Sequence, residues 1–428
     1  MRAGARRMLA RAKEMLLVDP DKRGAGDAAE RAGAEEMARS AAELKGGMAK
    51  VAQLMAYTEG PGAAVDAGAR AALGALWDQA PGADPAAIRR VVAEDLGAPP
   101  EQKFAAWSEA PLAAASLGEV HAATGHDGAA LAVKVQYPGV AEGLRSDLES
   151  RRVLERLAGA EVGRALAPEA LAALRDAVLR ELDYVAERQA MERFAQRFRG
   201  DAHIVVPRSY PELSGPRVMT AERLVGAPLL TFAAEAPEDA RAAVALTIFR
   251  FAYAAPLVHK LLNADPNPGN YLVLDGAAGK VGFLDFGCSI ELDPAIVASD
   301  RALWRALVTG EPDEFRAAMS REGLLGRART LDSVTYREWE RYLIAPFASE
   351  RPFHWTIPYA RDFAQLTSDL VRSGSFVLPP QAVLLWRQRL GIASVLGSIG
   401  ATADYRSVLR DIVRRAMLDA AQEAAESE

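Results

Sequence analysis

Cysteine is nearly absent. Cys288 is the only one in 428 residues, so the chain can form no internal disulfide. The five histidines are scattered, and no cysteine/histidine cluster is spaced to hold zinc. Both features fit a reducing, cytoplasmic setting. No run of about 18 uncharged apolar residues appears, which predicts no transmembrane helix. The basic start, Met1 to Pro20, lacks the long apolar core and small-residue cleavage site of a signal peptide. Positive charge is not in excess either. The net charge of −6 argues against a nucleic-acid binder that relies on a general positive field. Internal repeats are lacking too, which excludes a solenoid.

What remains is half hydrophobic and one quarter charged, the profile of a soluble globular protein of two to three domains. Residues 1–20 read as a basic amphipathic helix, either solvated or lying on a membrane surface. Residues 21–34 read as a linker, and helices are expected over 35–57, 64–80 and 84–97. In the last of these Asp84 would be the N-cap and Pro85 the first helical residue. Near residue 103 the pattern changes to alternating, β-branched segments with a glycine-containing turn, which predicts two or three antiparallel strands. A long helix is expected from about 141 to 198, broken near Gly159–Pro168. Strand character returns at His203–Leu213 and Pro216–Gly226. From about 236 helices dominate, apart from a strand pair at Asn270–Gly276 and Lys280–Phe286.

Four segments carry chemistry. Ala113-Ala114-Ala115-Ser116-Leu117-Gly118-Glu119-Val120 has the rhythm of a glycine-rich phosphate loop, with alanine at the first two glycine positions and Gly118 and Val120 kept. Fourteen residues on, Lys134 interrupts an otherwise mostly apolar strand, as a lysine bridging nucleotide phosphates and a helix glutamate would. Glu181, Asp183 and Glu187 cluster downstream, and Glu181 or Glu187 would pair with Lys134. Asp265 and Asn270 are five apart in "NADPNPGN", where Pro266, Pro268 and Gly269 favour a tight loop. Asp285 follows at the end of an apolar strand in "FLDFG". An aspartate and an asparagine so placed supply hard oxygen ligands for Mg²⁺, which takes few from protein and the rest from phosphate and water. Lysine, glutamate, Asp-x4-Asn and Asp-Phe-Gly in this order point to a metal–nucleotide site.

These motifs resemble one family, the UbiB/ADCK (AarF-type) atypical kinases, over roughly residues 40–400. Ala113–Ser116 matches the family's alanine-rich loop. Lys50-Val-Ala-Gln53 resembles its K-x-G-Q motif, with Ala52 in place of glycine. Glu181 and Asp183 match its E-x-D motif, and Glu187 the helix glutamate after it. "NADPNPGN" matches HADPHPGN, with Asn263 and Asn267 replacing the histidines. The resemblance implies an α+β, protein-kinase-like bilobal fold: a helical extension (1–100), an N-lobe with a small antiparallel sheet (101–225) and a helical C-lobe (226–428). It implies ATP and Mg²⁺ as cofactors. Lys134 would hold phosphates and Glu187 orient it. Asn270 and Asp285 would bind the metal, and Asp265 would be the catalytic-loop aspartate. Backbone near Glu222 and Leu224 would meet adenine. Lys50 and Gln53 would cover the site near Glu181 and Asp183, where a peptide substrate would otherwise lie.

The implied function is an ATPase or kinase that supports isoprenoid quinone or other lipid-derived small-molecule biosynthesis. It would work beside biosynthetic-enzyme partners or a membrane surface, and the polar C-terminal end would make membrane contact peripheral. Two alternatives are a non-catalytic nucleotide-sensing scaffold and a small-molecule kinase outside the quinone pathway. No "APE" follows Asp285, and a helix is expected soon after it, which leaves no room for the usual activation segment of a protein kinase. Cys288 reads as a small core residue.

Overall fold

The computed structural model describes residues 84–115, 117–148, 168–310, 312–321, 325, 334–349, 351–377 and 379–427. Lys50, Gln53, Ser116 and the helices expected before residue 84 lie outside them. All described residues belong to one compact unit.

Helix α1 (Pro85–Leu96) begins as its sequence dictates: the Asp84 carboxylate accepts from Ala86 N, and Gly97 ends the helix in a left-handed conformation. A one-turn helix, α2 (Pro100–Lys103), leads into strands β1 (Ala106–Ala115), β2 (Gly118–Thr124) and β3 (Ala130–Gln136). With β5 (Val218–Glu222) they form a four-stranded antiparallel sheet in the order β1-β2-β3-β5. Alternation in β3 decides what faces what. Leu131, Val133 and Val135 are fully buried with Ile88, Val91 and Val92 of α1. A strand's side chains point to alternate faces, so Lys134 must emerge from the opposite face. Helix α1 thus packs into the sheet's own core, although it falls within the segment assigned to the extension.

The helical stretch expected over 141–198 appears as α3 (Val140–Leu148), α4 (Pro168–Arg180) and α5 (Tyr184–Arg197). The break expected near Gly159–Pro168 lies almost wholly outside the described residues; among them a further break, not expected, falls at Glu181–Asp183. The reason is local: the Asp183 side chain accepts from Ala186 N and starts a new helix.

The segment His203–Leu213, expected to be strand, gives an antiparallel bridge from Ser209 to Ala221 of β5 and one short strand, β4 (Ile204–Val205). It pairs in parallel with β9 (Lys280–Phe283), not with the first sheet. β9 pairs with β8 (Tyr271–Asp275), and β8 with β6 (Ala227–Pro228). Helices α6 (Leu229–Glu235) and α7 (Glu238–His259) follow β6. Then β7 (Leu261–Asn263) pairs with β10 (Ser289–Glu291), so these two strands flank the Asp265 and Asp285 loops on either side.

The remaining helices are α8 (Pro294–Thr309), α9 (Pro312–Arg321), α10 (Val334–Ile344), α11 (Ile357–Arg372), α12 (Pro380–Ile399) and α13 (Tyr405–Ser427); the short strands β11 (Phe353–His354) and β12 (Thr402–Ala403) pair between them. By length and composition α7 is the one helix among the described residues apolar enough to cross a membrane. It packs against α8, α12 and α13, with Val244, Ala245, Ile248, Phe249 and Ala255 fully buried, so the fold uses it as a core helix.

Candidate active site

The centre of the site is Lys134. Its Nζ lies 2.8 and 2.9 Å from the two carboxylate oxygens of Glu187, 3.5 Å from Asp285 Oδ2, and 4.9 Å from the centre of the Tyr184 ring. The choice between Glu181 and Glu187 goes to Glu187. It sits one turn into α5, which the Asp183 cap and the buried Tyr184 hold against the sheet. Burial alone would lower the Lys134 ammonium, but Asp285 and Glu187 carry it well above its usual range. Burial pushes the Glu187 carboxyl up to about 7, against the pull of Lys134. Lys134 is held as the cation by its bidentate bond to Glu187, with Asp285 facing it as well.

The loop after β7 is held by its own side chains. Asn263 Nδ2 donates to Asp285 O at 2.8 Å, and Asn263 Oδ1 accepts from Asp265 N. Asn267 Oδ1 accepts from Gly269 N and caps the single turn Pro268–Asn270. Both asparagines that replace the family's histidines therefore carry structural bonds. Asn270 Nδ2 donates to Asp265 Oδ2 at 3.2 Å, which leaves the amide oxygen of Asn270 as the ligand atom it can offer a cation. Leu284 N donates to Asn270 O, tying this loop to the strand end that carries Asp285. Asp285 Oδ1 accepts from Gly287 N.

No cluster of three or more His, Cys, Asp or Glu side chains suited to a metal exists among the described residues. One carboxylate and one amide oxygen still suit Mg²⁺, which draws most of its ligands from phosphate and water. A dedicated transition-metal site would need more protein ligands.

Arg387 on α12 carries no motif in the sequence, yet it completes the site. Its Nη2 donates to Asp265 Oδ1 at 3.1 Å, and its Nη1 lies 3.5 Å from Cys288 Sγ. Arg387 and Asp265 are both buried. The one available signal was a pair of arginines inside the apolar run "AVLLWRQRLGIASVL". Cys288 is buried, as expected of a core residue.

The other candidates are more dispersed. Ala113, Ala114 and Ala115 lie on β1, paired with Val120, Glu119 and Gly118. Gly118 is required by close strand approach: a Cβ there would lie 2.0 Å from Val135 O. Val120 pairs with Lys134 across the ladder. Glu222 ends β5, its N–H donating to Arg208 O. Leu224, between β5 and β6, lies against Gly282 of β9. Glu181 is buried beside Gly287, while Asp183 is exposed and serves as the helix cap.

The sequence profile of the ABC1 atypical kinase-like domain matches residues 75–319. The chain belongs to the ABC1 atypical kinase-like family. Its motif order had pointed to this same UbiB/ADCK group, and the mixed α/β kinase-like fold with an antiparallel sheet agrees. It is 26% identical over 334 residues to the mitochondrial atypical kinase COQ8 of Saccharomyces cerevisiae, a match covering 76% of this chain and 65% of that protein. It is 27% identical over 330 residues to the mitochondrial atypical kinase COQ8B of Rattus norvegicus, covering 77% of this chain and 62% of the relative. The chain thus spans a little under two thirds of both relatives. Among solved structures, the complex of Rv3197 with erythromycin from Mycobacterium tuberculosis superposes with a TM-score of 0.61 at 25% identity, covering 92% of this chain and 98% of that one.

Proposed function

We propose that this ABC1-family chain is a Mg²⁺-dependent ATPase or kinase that acts on a lipid-derived small molecule, in isoprenoid quinone biosynthesis or a related pathway. The observation that carries the proposal is Lys134, held between Glu187 and Asp285 on the sheet face opposite α1. In this reading Lys134 binds nucleotide phosphates and Glu187 holds its ammonium in place. Asp285 and Asn270 would hold Mg²⁺, which when bound neutralises charge on the phosphates. Asp265 orients the attacking hydroxyl or water. Ala113–Ser116, Gly118 and Val120 would line the phosphate side, and backbone near Glu222 and Leu224 the adenine side. Residues 101–225 and 226–428 would act as two lobes around the nucleotide, with Lys50 and Gln53 covering the cleft. The pathway is what the resemblance to the UbiB/ADCK family implies. Peripheral contact of a cytoplasmic protein with a membrane is part of the same proposal, carried by the basic residues 1–20.

The test is turnover of MgATP by the purified full chain, with and without anionic liposomes. Lys134→Met and Asp285→Asn should each lower it by a hundred- to a thousand-fold, to order of magnitude, while circular dichroism stays that of the folded protein. Unchanged turnover in either variant would sink the assignment.

One observation favours a second reading. Both carboxylate oxygens of Asp265 are already engaged, one by Arg387 and one by Asn270. A nucleotide-sensing scaffold would retain this closed arrangement. Nucleotide binding without turnover, even with lipid added, would support it.

A further inference from the structure

A cavity of about 470 Å³ adjoins the Asp285 loop, and none of the roles above uses it. Its size is that of a small-molecule site. Gly287 borders both places: its N–H donates to Asp285 Oδ1, and it lines the cavity. The cavity wall continues through Ser289 and Ile290 of β10. That strand pairs with β7, the strand leading into the Asp265 loop. Cys288, between these wall residues, touches the same Arg387 that holds Asp265. The cavity is therefore joined to the reacting centre on two sides.

Its lining is amphipathic. Phe286, Ile290, Leu384 and Ala186 give an apolar wall. The lining also includes Arg180 of α4 and Arg193 of α5, and neither makes an ion pair among the described residues. Arg180 Nε and Ser289 Oγ are buried and have no hydrogen-bond partner among the described residues. A buried donor left unmade is costly, so both side chains retain hydrogen-bonding capacity beside the cavity. Gln381 Oε1 accepts from Asp293 N, which turns its amide N–H groups to other acceptors. Two carboxylates, Asp176 and Glu291, also line the cavity. Asp176 is already bonded by Arg175, so it does not neutralise Arg180. Arg180 and Asp176 also border a second cavity of about 670 Å³, where Arg145 adds another guanidinium.

We propose that the 470 Å³ cavity seats the second substrate, an amphipathic small molecule whose phosphate or carboxylate group is held by Arg180, Arg193 and Ser289. Its apolar body lies along Phe286, Ile290 and Leu384. A guanidinium pair suits either oxyanion bidentately. The proposal rests on reading the neighbouring site as one for phosphoryl transfer.

The test is calorimetric titration of the full chain, with MgADP present to block the nucleotide site. The probes are inorganic phosphate, monomeric octyl phosphate and phosphatidylglycerol vesicles. Wild type should bind octyl phosphate saturably and at least ten-fold more tightly than inorganic phosphate. The double variant Arg180→Gln/Arg193→Gln should lose at least ten-fold of that affinity. Ala186→Trp, which fills the cavity and keeps both charges, should do the same. MgADP affinity should be unchanged in all three proteins, which also shows that they fold. Equal octyl phosphate binding in wild type and variants, or none in wild type, overturns the proposal. Binding only to vesicles, insensitive to the variants, overturns it too and points to the membrane surface instead. If octyl phosphate binds as expected but MgADP binds none of the proteins, the cavity stands and the nucleotide reading falls.

Discussion

At the scale of single residues, the site depends on charges buried in pairs. Arg387 and Asp265 form such a pair across 122 positions of sequence. Replacing Arg387 with Met would leave a buried carboxylate without its cation and should cost about 3–5 kcal/mol in denaturant unfolding. Adding Asp265→Asn should recover part of that loss, since the uncompensated charge is then gone. Full additivity of the two changes would contradict the pairing. Gly118 makes a steric prediction. Gly118→Ala should cost about 3 kcal/mol, because the new methyl meets a strand carbonyl that cannot move aside. Lys134, Asp265, Asn270 and Asp285 stood out in the sequence because short spacings encode them. Arg387 did not, since only the folded packing of α12 brings it to Asp265.

At the scale of elements, local chemistry was legible where caps and alternation set it, and illegible where pairing partners set it. Asp84 and Pro85 announced α1, and alternating, β-branched character announced β3, with Lys134 interrupting its apolar run. The break before α5 was not foreseen, because one aspartate cap at Asp183 decides it. β4 looked like a longer strand because Ile204-Val205-Val206 is β-branched, but only two of its residues find a partner, on β9. The end of α7 carries a pH signal. Burial holds the His259 imidazole down at about 4, with Arg415 and Arg197 adding to the effect. The folded protein thus keeps this ring neutral where the unfolded chain binds a proton. Stability should be full above pH 6.5 and fall as pH drops toward 4, by on the order of 2 kcal/mol once partial exposure is allowed for. His259→Gln should flatten that part of the pH profile in chemical unfolding; an unaltered slope would show that other groups carry it.

At the scale of the whole molecule, the described residues build two hydrophobic cores. The smaller joins α1 to the first sheet; the larger surrounds α7 and reaches the sheet through Leu117, Met219 and Ala221. The kinase-like class was legible because the order of motifs is a property of the whole chain. The place of α1 was not, since its amphipathic stripe fits any apolar surface. Val92 is fully buried in the smaller core, so Val92→Ala should cost about 2 kcal/mol in denaturant unfolding. A negligible cost would mean that α1 is not part of this core. The central claim is that Lys134, Asn270 and Asp285 form a seat for MgATP. Calorimetric binding of ATP to the full chain, with and without Mg²⁺, tests it most directly beside Asp285→Asn. The account predicts Mg²⁺-dependent binding that weakens at least about ten-fold in the variant. ATP binding of equal strength in both proteins, or indifferent to Mg²⁺, would contradict it.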